Sequence, residues 1–453
     1  MDLLPEARWL ETLRSQNPWW GSGHVPRRLP LTQPRSVDAA LASSDADVLL
    51  VGPRGSGKSA TLFRLLDAHL RAGADPKSAL YLPLDHPLLR MEPLGALVDR
   101  ALKLAAAAPR PLLLLDGLQS LPEWPERFLE LVKTRPQPRI VAAASVHPGI
   151  EDPAFETHLL PPLRFSEFCA MRGIPDLEAP PLDLLDPRLP PEAAAADDHL
   201  FGRVLEPALA DYLVRGGFPA SASEPDLGAA HRAVRDGVVA RAIYQDLPAV
   251  AGILKIAELE RVLLGALLRA GAPLQLEAFA DAMELDGKTA SRYLDHLQRA
   301  FLLQGLKNFA ASTDRSRSLL LPADPALQNA LLERGVGVLA DADERRRLLY
   351  AAVVSHVDDA ARARGLDLAY FREGDAHADV VLATRDGAVP IVLADREEPG
   401  DEEAAAVERL LRRLKARTVF VVSRARPRRK SALSFFESVV HLPAAYFLYA
   451  LRA

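Results

Sequence analysis

Eight consecutive residues, Gly52 to Ser59, read G-P-R-G-S-G-K-S, with Gly52, Gly57, Lys58 and Ser59 at the fixed positions of a phosphate-binding loop. Gly55 and Gly57 let the backbone bend so that successive N–H groups point inward toward anionic oxygens. A helix starting near Lys58 adds the positive end of its dipole. Lys58 can reach the β- and γ-phosphates, and the Ser59 hydroxyl can ligate Mg²⁺. The expected nucleotide contacts are therefore Gly52, Pro53, Arg54, Gly55, Ser56, Gly57, Lys58, Ser59 and Ala60, with ATP and Mg²⁺ as cofactors. A glycine-rich turn that binds nothing is the plain alternative, and the strand and helix patterns on either side argue against it. A second piece of chemistry lies downstream, where Leu112 to Leu115 run into Asp116. A buried strand would fix that carboxylate so that it holds Mg²⁺ directly or through water. Ser59 and Asp116 are thus the metal candidates, and Lys58, Asp116, Asp85 and Ser145 the catalytic ones. Asp85 reads either as a base at the same crevice or as a turn residue before His86-Pro87. Ser145 reads either as a γ-phosphate sensor or as a hydroxyl capping the next turn.

The elements that must position these groups follow from periodicity. Val48 to Val51 is an apolar strand, and Leu62, Phe63, Leu65, Leu66 and Leu70 recur at helical spacing. Ala79 to Asp85 reads as a second strand ending in a carboxylate, with a helix over Leu94 to Ala107. Pro111 to Asp116 is the third strand, uniformly apolar and so central in a parallel sheet. A helix over Phe128 to Lys133 precedes a fourth strand, Arg139 to Ser145. Alternating strands and helices predict an α/β doubly wound parallel sheet, with Gly52, Asp85, Asp116 and Ser145 at the strands' carboxyl ends, where ligands bind. Met1 to Arg14 reads as an amphipathic helix, and Trp19-Trp20 as side chains that dock on another part of the fold.

Bulk composition narrows the classes. A chain of 453 residues holds about two to four domains. A net charge of −5 excludes a wholly basic polyanion binder, so any nucleic-acid contact needs a local patch. Cys169 is the single cysteine, which excludes disulfides and zinc clusters within the chain. The charged stretch Met1 to Gln16 does not read as a signal peptide, and no run of about 20 apolar residues reads as a membrane span. A cytoplasmic protein is the expectation.

Several stretches together resemble one prokaryotic family. Asn17-Pro18-Trp19-Trp20, the loop GPRGSGKS, YLPLDHP (Tyr81 to Pro87), LLLLDGLQ around Asp116 and LPPLRFSEF (Leu160 to Phe168) are similar to AAA-type ATPases with a C-terminal winged helix and restriction-endonuclease-like domain. Gly216-Gly217-Phe218-Pro219, the segment around Tyr244-Gln245-Asp246 and the closing HLPAAYFLYAL add to the likeness. The resemblance implies nucleotide binding in a P-loop fold with a helical lid. It also implies a glutamate after the metal aspartate, where this chain has Gly117. Loss of a general base costs about 10²- to 10⁴-fold in rate. Asp85 can substitute for it, and Glu123 only if the 117–123 loop folds back. Family members often carry an arginine finger before the LPPL-like segment; Glu151 to His158 contains no arginine, and Arg164 is the nearest.

The implied organisation is an arm over 1–45, a P-loop core over 46–165, a lid with a Pro/Ala-rich insertion over 166–250, a winged helix over 251–325 and a nuclease-like domain over 326–453. The lid helices are expected at Phe201 to Arg215 and Ala229 to Leu247, and the insertion at Ala179 to Asp198. In the winged helix, Thr289 to Phe301 is the helix that enters DNA in binding examples, so Lys288, Arg292 and Arg299 are candidate DNA contacts; the unit can equally serve as packing. A nuclease-like site needs further acidic and lysine ligands beside Asp379, yet the next strand offers Val392 and Ala394, so the domain reads as inactive. The basic run Arg424 to Lys430 is either a solvated loop or a phosphate contact. Three functions remain open at this stage: a slow ATPase, a non-hydrolysing nucleotide switch acting on a protein partner, and a DNA-binding regulator.

Overall fold

The computed structural model describes residues 6–26, 34–105, 110–177, 179, 181–186, 198–310, 317–374, 376–385, 387–394, 401–424 and 439–451. Much of the 179–198 insertion and of the 424–430 run lies outside them, as do Arg27 and Arg28. The chain divides into two compact units: 1–162 with 236–256 and 299–301, and 163–235 with 257–298 and 302–453.

The first unit is built on five strands: β1 (Val48–Val51), β2 (Ala79–Pro83), β3 (Leu112–Asp116), β4 (Arg139–Ala144) and β5 (Glu156–Leu159). They pair in parallel in the order β2-β3-β4-β1-β5. Period-two alternation explains why the strands are apolar throughout. Leu49, Val51, Leu113, Leu115, Ile140 and Ala142 point into one cluster, closed by helices Leu94–Leu102 and Trp124–Thr134. Val48, Leu50, Leu112, Leu114, Val141 and Ala143 point into the other, closed by helix Lys58–Arg71 through Leu62, Phe63 and Leu66. Each fully buried leucine contributes about 1.5–3 kcal/mol. Register sets the site, because Asp116 lies opposite Ala143, and Ala144 opposite Val51, just before Gly52.

Strand β5 is absent from the sequence expectation. Its residues Glu-Thr-His-Leu are polar and part-exposed because it pairs on one side only, so it carries no apolar signature. At the opposite edge, Asn17 and the paired tryptophans cover β2. The Asn17 amide exchanges hydrogen bonds with the backbone of Tyr81, and both indole N–H groups donate to the Ala79 carbonyl at 3.1 and 2.9 Å. Docking is therefore the role of Trp19-Trp20, and it shields an edge that would otherwise expose backbone groups.

The second unit contains an eight-stranded sheet. Its strands are β6 (Pro273–Gln275), β7 (Leu303–Asn308), β8 (Arg317–Pro322), β9 (Asp367–Glu373), β10 (Ala376–Thr384), β11 (Gly387–Ala394), β12 (Val419–Ser423) and β13 (Val439–Pro443). The order is β13-β12-β11-β10-β9-β7-β8-β6. Helices Phe165–Met171, Asp198–Arg215, Ala342–Arg362 and Ala444–Ala450 share one core with it, around Phe165, Phe168, Tyr212, Val354 and Phe447. The expected lid over 166–250 is consequently divided. Leu205, Leu209, Tyr212 and Leu213 commit the first lid helix to this core, whereas 236–256 belongs to the first unit. Among the described residues no helix is long and apolar enough to cross a membrane.

Candidate functional site

The loop between β1 and helix Lys58–Arg71 has the backbone its glycines predict. Gly55 and Gly57 take φ of +75° and +102°, a region that side chains rarely adopt. A Cβ on Gly52 would sit 2.1 Å from the Leu160 carbonyl oxygen, so only glycine fits there. Lys58 is buried, and its Nζ donates to the Gly52 and Pro53 carbonyls at 2.8 and 2.7 Å. Burial lowers its pKa to about 8, while the Asp116 charge pulls it back up. Helix Lys58–Arg71 begins at Gly57 with no capping side chain, leaving its first-turn amides for a ligand. The Ser56 hydroxyl is buried without a hydrogen-bond partner among the described residues. An orphan hydroxyl, an uncapped helix start and an anchored ammonium fit an anionic phosphate chain.

Asp116 stands at the end of β3 and meets two hydroxyls, from Ser59 and from Tyr81, whose Oη donates to Oδ2 at 2.8 Å. Burial raises the Asp116 pKa, opposed by those two hydrogen bonds and by Lys58. Oxygen donors of this kind, a hydroxyl beside a carboxylate, fit Mg²⁺. Gly117 follows with φ of +85°. Asp85 lies two residues beyond the end of β2, in a turn held by the Leu84 N–H donating to the Asp116 carbonyl at 2.7 Å, rather than on the strand itself. A Cβ added to Gly117 would come 3.8 Å from the Asp85 Cβ. Glu123 turns elsewhere and pairs with Arg127 at 3.4 Å. Ser145 follows β4, and its N–H donates to Gln119 Oε1 at 3.0 Å.

Four contributors escape sequence reasoning. Arg35 is buried and donates to the Ser56 carbonyl at 3.0 Å and the Pro161 carbonyl at 2.9 Å, bracing the loop from beneath. Tyr81 orients Asp116. Asp246 grips Arg54 through both carboxylate oxygens at 2.6 Å. Gln119 joins Ser145 to Asp246, its Nε2 lying 3.5 Å from Oδ1. Tyr81, Gln119 and Asp246 lie in segments the family resemblance had marked, whereas Arg35 does not.

The remaining expected residues are engaged in different ways. Arg299, an expected DNA contact, donates to the His147 and Pro148 carbonyls at 2.8–3.2 Å. Lys288 and Arg292 are exposed on helix Gly287–Arg299. Arg164 is ion-paired with Asp359. Asp379 on β10 is buried, with one oxygen on Arg346 at 2.8 Å and the other on the Leu393 N–H at 2.7 Å. Of the basic run, only Arg424 lies within the described residues.

A parallel sheet of this order, with a glycine-rich loop after β1 and a part-buried carboxylate at the end of β3, is consistent with a P-loop nucleotide-binding fold. Residues 45–169 match the AAA domain, and residues 206–336 match a domain of unknown function. No curated protein matches the chain. Among solved structures, the chain is similar to the Signal Transduction ATPase with Numerous Domains protein with a tetratricopeptide repeat sensor from Pyrococcus horikoshii. The two are 12% identical over 76% of this chain and 50% of that one, with a TM-score of 0.24. The chain thus spans half the length of that protein, and a likeness so distant carries no argument here.

Proposed function

We propose that the chain binds Mg-ATP at Gly52–Ala60 and hydrolyses it slowly, using the nucleotide state to act on its C-terminal portion. The observation that carries this reading is the convergence of Lys58 Nζ, Ser59 and Asp116 at one end of the sheet. Lys58 and the loop amides hold the phosphates, and Ser59 with Asp116 hold Mg²⁺, which would neutralise charge on the β- and γ-oxygens. Tyr81 fixes the Asp116 carboxylate, and Arg35 keeps the loop from collapsing onto β5. Gly117 offers no carboxylate, so Asp85 is the group left to orient water and accept its proton. Ser145, whose N–H is held by Gln119, is the candidate γ-phosphate sensor.

Gly117 favours a second reading, a switch that scarcely turns over. Its φ of +85° would cost a glutamate about 1–2 kcal/mol, so the backbone itself is unsuited to the family's base. Downstream, the three helices Ile256–Leu268, Leu276–Ala282 and Gly287–Arg299 with strands β6 to β8 support a winged-helix reading, and Arg346 on Asp379 supports an inactive nuclease-like site. With Arg299 engaged, DNA contact would rest on Lys288, Arg292 and the Arg424–Lys430 run, and a protein partner is the reading we favour.

Phosphate release by wild type, Lys58→Ala and Asp85→Ala tests this. Weak release by wild type, abolished in Lys58→Ala and reduced at least about tenfold in Asp85→Ala, is the expected result. Equal rates in all three would remove turnover from the account.

A further inference from the structure

Asp246 is buried at 2% exposure, and its carboxylate is held by the Nε and Nη2 of Arg54, both at 2.6 Å. That fork is the geometry with which arginine takes a planar anion, whether carboxylate or phosphate. Arg54 belongs to the phosphate loop itself, between Pro53 and Gly55. The same neighbourhood holds Lys58, Asp85 and Asp116, so two cations face three carboxylates before any ligand arrives. Asp246 is thus an anion supplied by the chain at a site built for an anionic ligand.

The segment that carries Asp246 is unusual. Residues 235–239 and 242–246 form two π-helical turns, a rare conformation that recurs at functional sites. Residues 236–256 belong to the first unit, yet the chain before and after them, 163–235 and 257–298, belongs to the second. Any displacement of this segment is therefore passed along the backbone at both of its ends.

We propose that Asp246 competes with the nucleotide for Arg54, so that triphosphate binding opens the Arg54–Asp246 pair and releases segment 236–256. The proposal rests on nucleotide binding at the loop and adds its regulation. Its energetics follow from burial. A phosphate chain carries more charge than one carboxylate and takes the guanidinium fork. Among the described residues, the hydrogen bond left to Asp246 is the one from Gln119 Nε2, at 3.5 Å. A buried carboxylate without its cation is strongly destabilised, so the segment must shift to hydrate it. Gln119 also holds the Ser145 N–H, so the same shift reaches the end of β4.

Two measurements on the full chain test this: titration with a fluorescent ATP analogue and Mg²⁺, and amide hydrogen exchange with and without Mg-ATP. Asp246→Asn removes the competing charge and should bind nucleotide about tenfold more tightly, which corresponds to about 1.4 kcal/mol. In wild type, amides of 242–251 should exchange faster once Mg-ATP is bound. Wild-type binding with equal or weaker affinity in Asp246→Asn would overturn the latch and leave the nucleotide reading standing. Absence of binding by both folded proteins would remove that reading and the latch with it. Should Asp246→Asn fail to fold, unchanged exchange at 242–251 in nucleotide-bound wild type would overturn the proposal by itself.

Discussion

Tyr81 and Ser59 reach Asp116 from two different elements, and together they decide which carboxylate lone pairs are left for a metal. Partners of this kind typically change metal affinity by about 10- to 100-fold when removed. Tyr81→Phe should therefore raise the Mg²⁺ concentration at half-maximal nucleotide binding about tenfold or more, with metal-free nucleotide binding retained. A magnesium titration at fixed nucleotide checks this, and an unchanged midpoint would contradict it. Lys58 gives a second prediction at this scale. Burial lowers its pKa to about 8, so the free protein loses the ammonium as pH rises through 8. Phosphate oxygens favour the charged form, so binding above that pH must take up a proton. Affinity for Mg-ATP should fall as pH rises from 8 to 9, by up to about tenfold per pH unit. A flat affinity profile over that range would contradict the assignment. The loop residues were legible in the sequence because their geometry is local. Tyr81, Gln119, Arg35 and Asp246 were not, because each acts on a group that only the fold brings near.

Among the elements, the segment Gly216-Gly217 and helix Pro325–Leu331 show how a distant contact fixes a turn. Asp324 caps that helix at the Ala326 N–H and accepts from the Gly217 N–H, both at 2.8 Å. Gly216 has φ of +71°, and a Cβ there would lie 1.9 Å from Asp324 Oδ1, so glycine is required. Burial pushes the Asp324 pKa up to about 6, against the two hydrogen bonds. The folded state therefore holds its proton more tightly than the unfolded chain between pH 3.8 and about 6. Stability from this group is fullest below 3.8 and is lost as pH rises to about 6. Asp324→Asn keeps an acceptor but does not titrate. The variant should gain on wild type across that window, by about 3 kcal/mol at most. Urea denaturation at pH 4 and pH 7 checks this, and a constant difference would contradict it. The five-strand sheet shows the limits of periodicity. Its four apolar strands declared themselves, whereas β5, polar and paired on one side, did not. Helix Asp198–Arg215 was legible as a helix, but nothing in its sequence told which unit would bury it.

For the whole molecule, the unexpected feature is how the two units share one chain. The backbone passes between them at 162/163, 235/236, 256/257, 298/299 and 301/302, so neither unit is a single continuous stretch. The expected boundary between a winged helix and a nuclease-like domain is bridged in the second unit. Strands β7 and β9 pair in parallel through Lys307–Ala369 and Asn308–Tyr370, which merges both parts into one sheet. Parallel pairing between strands so far apart leaves no mark in composition or spacing. The order of the elements could be read in advance, but their grouping could not. The central claim is that the Gly52–Ser59 loop takes a triphosphate with its metal. Calorimetric titration of Mg-ATP into wild type and Lys58→Ala, with thermal unfolding of both, tests it most directly. Wild type should give saturable heat and, at about 100 times Kd, gain about 2.7 kcal/mol of stability. Lys58→Ala should give neither. A folded wild type that shows no heat and no rise in its unfolding midpoint would contradict the account.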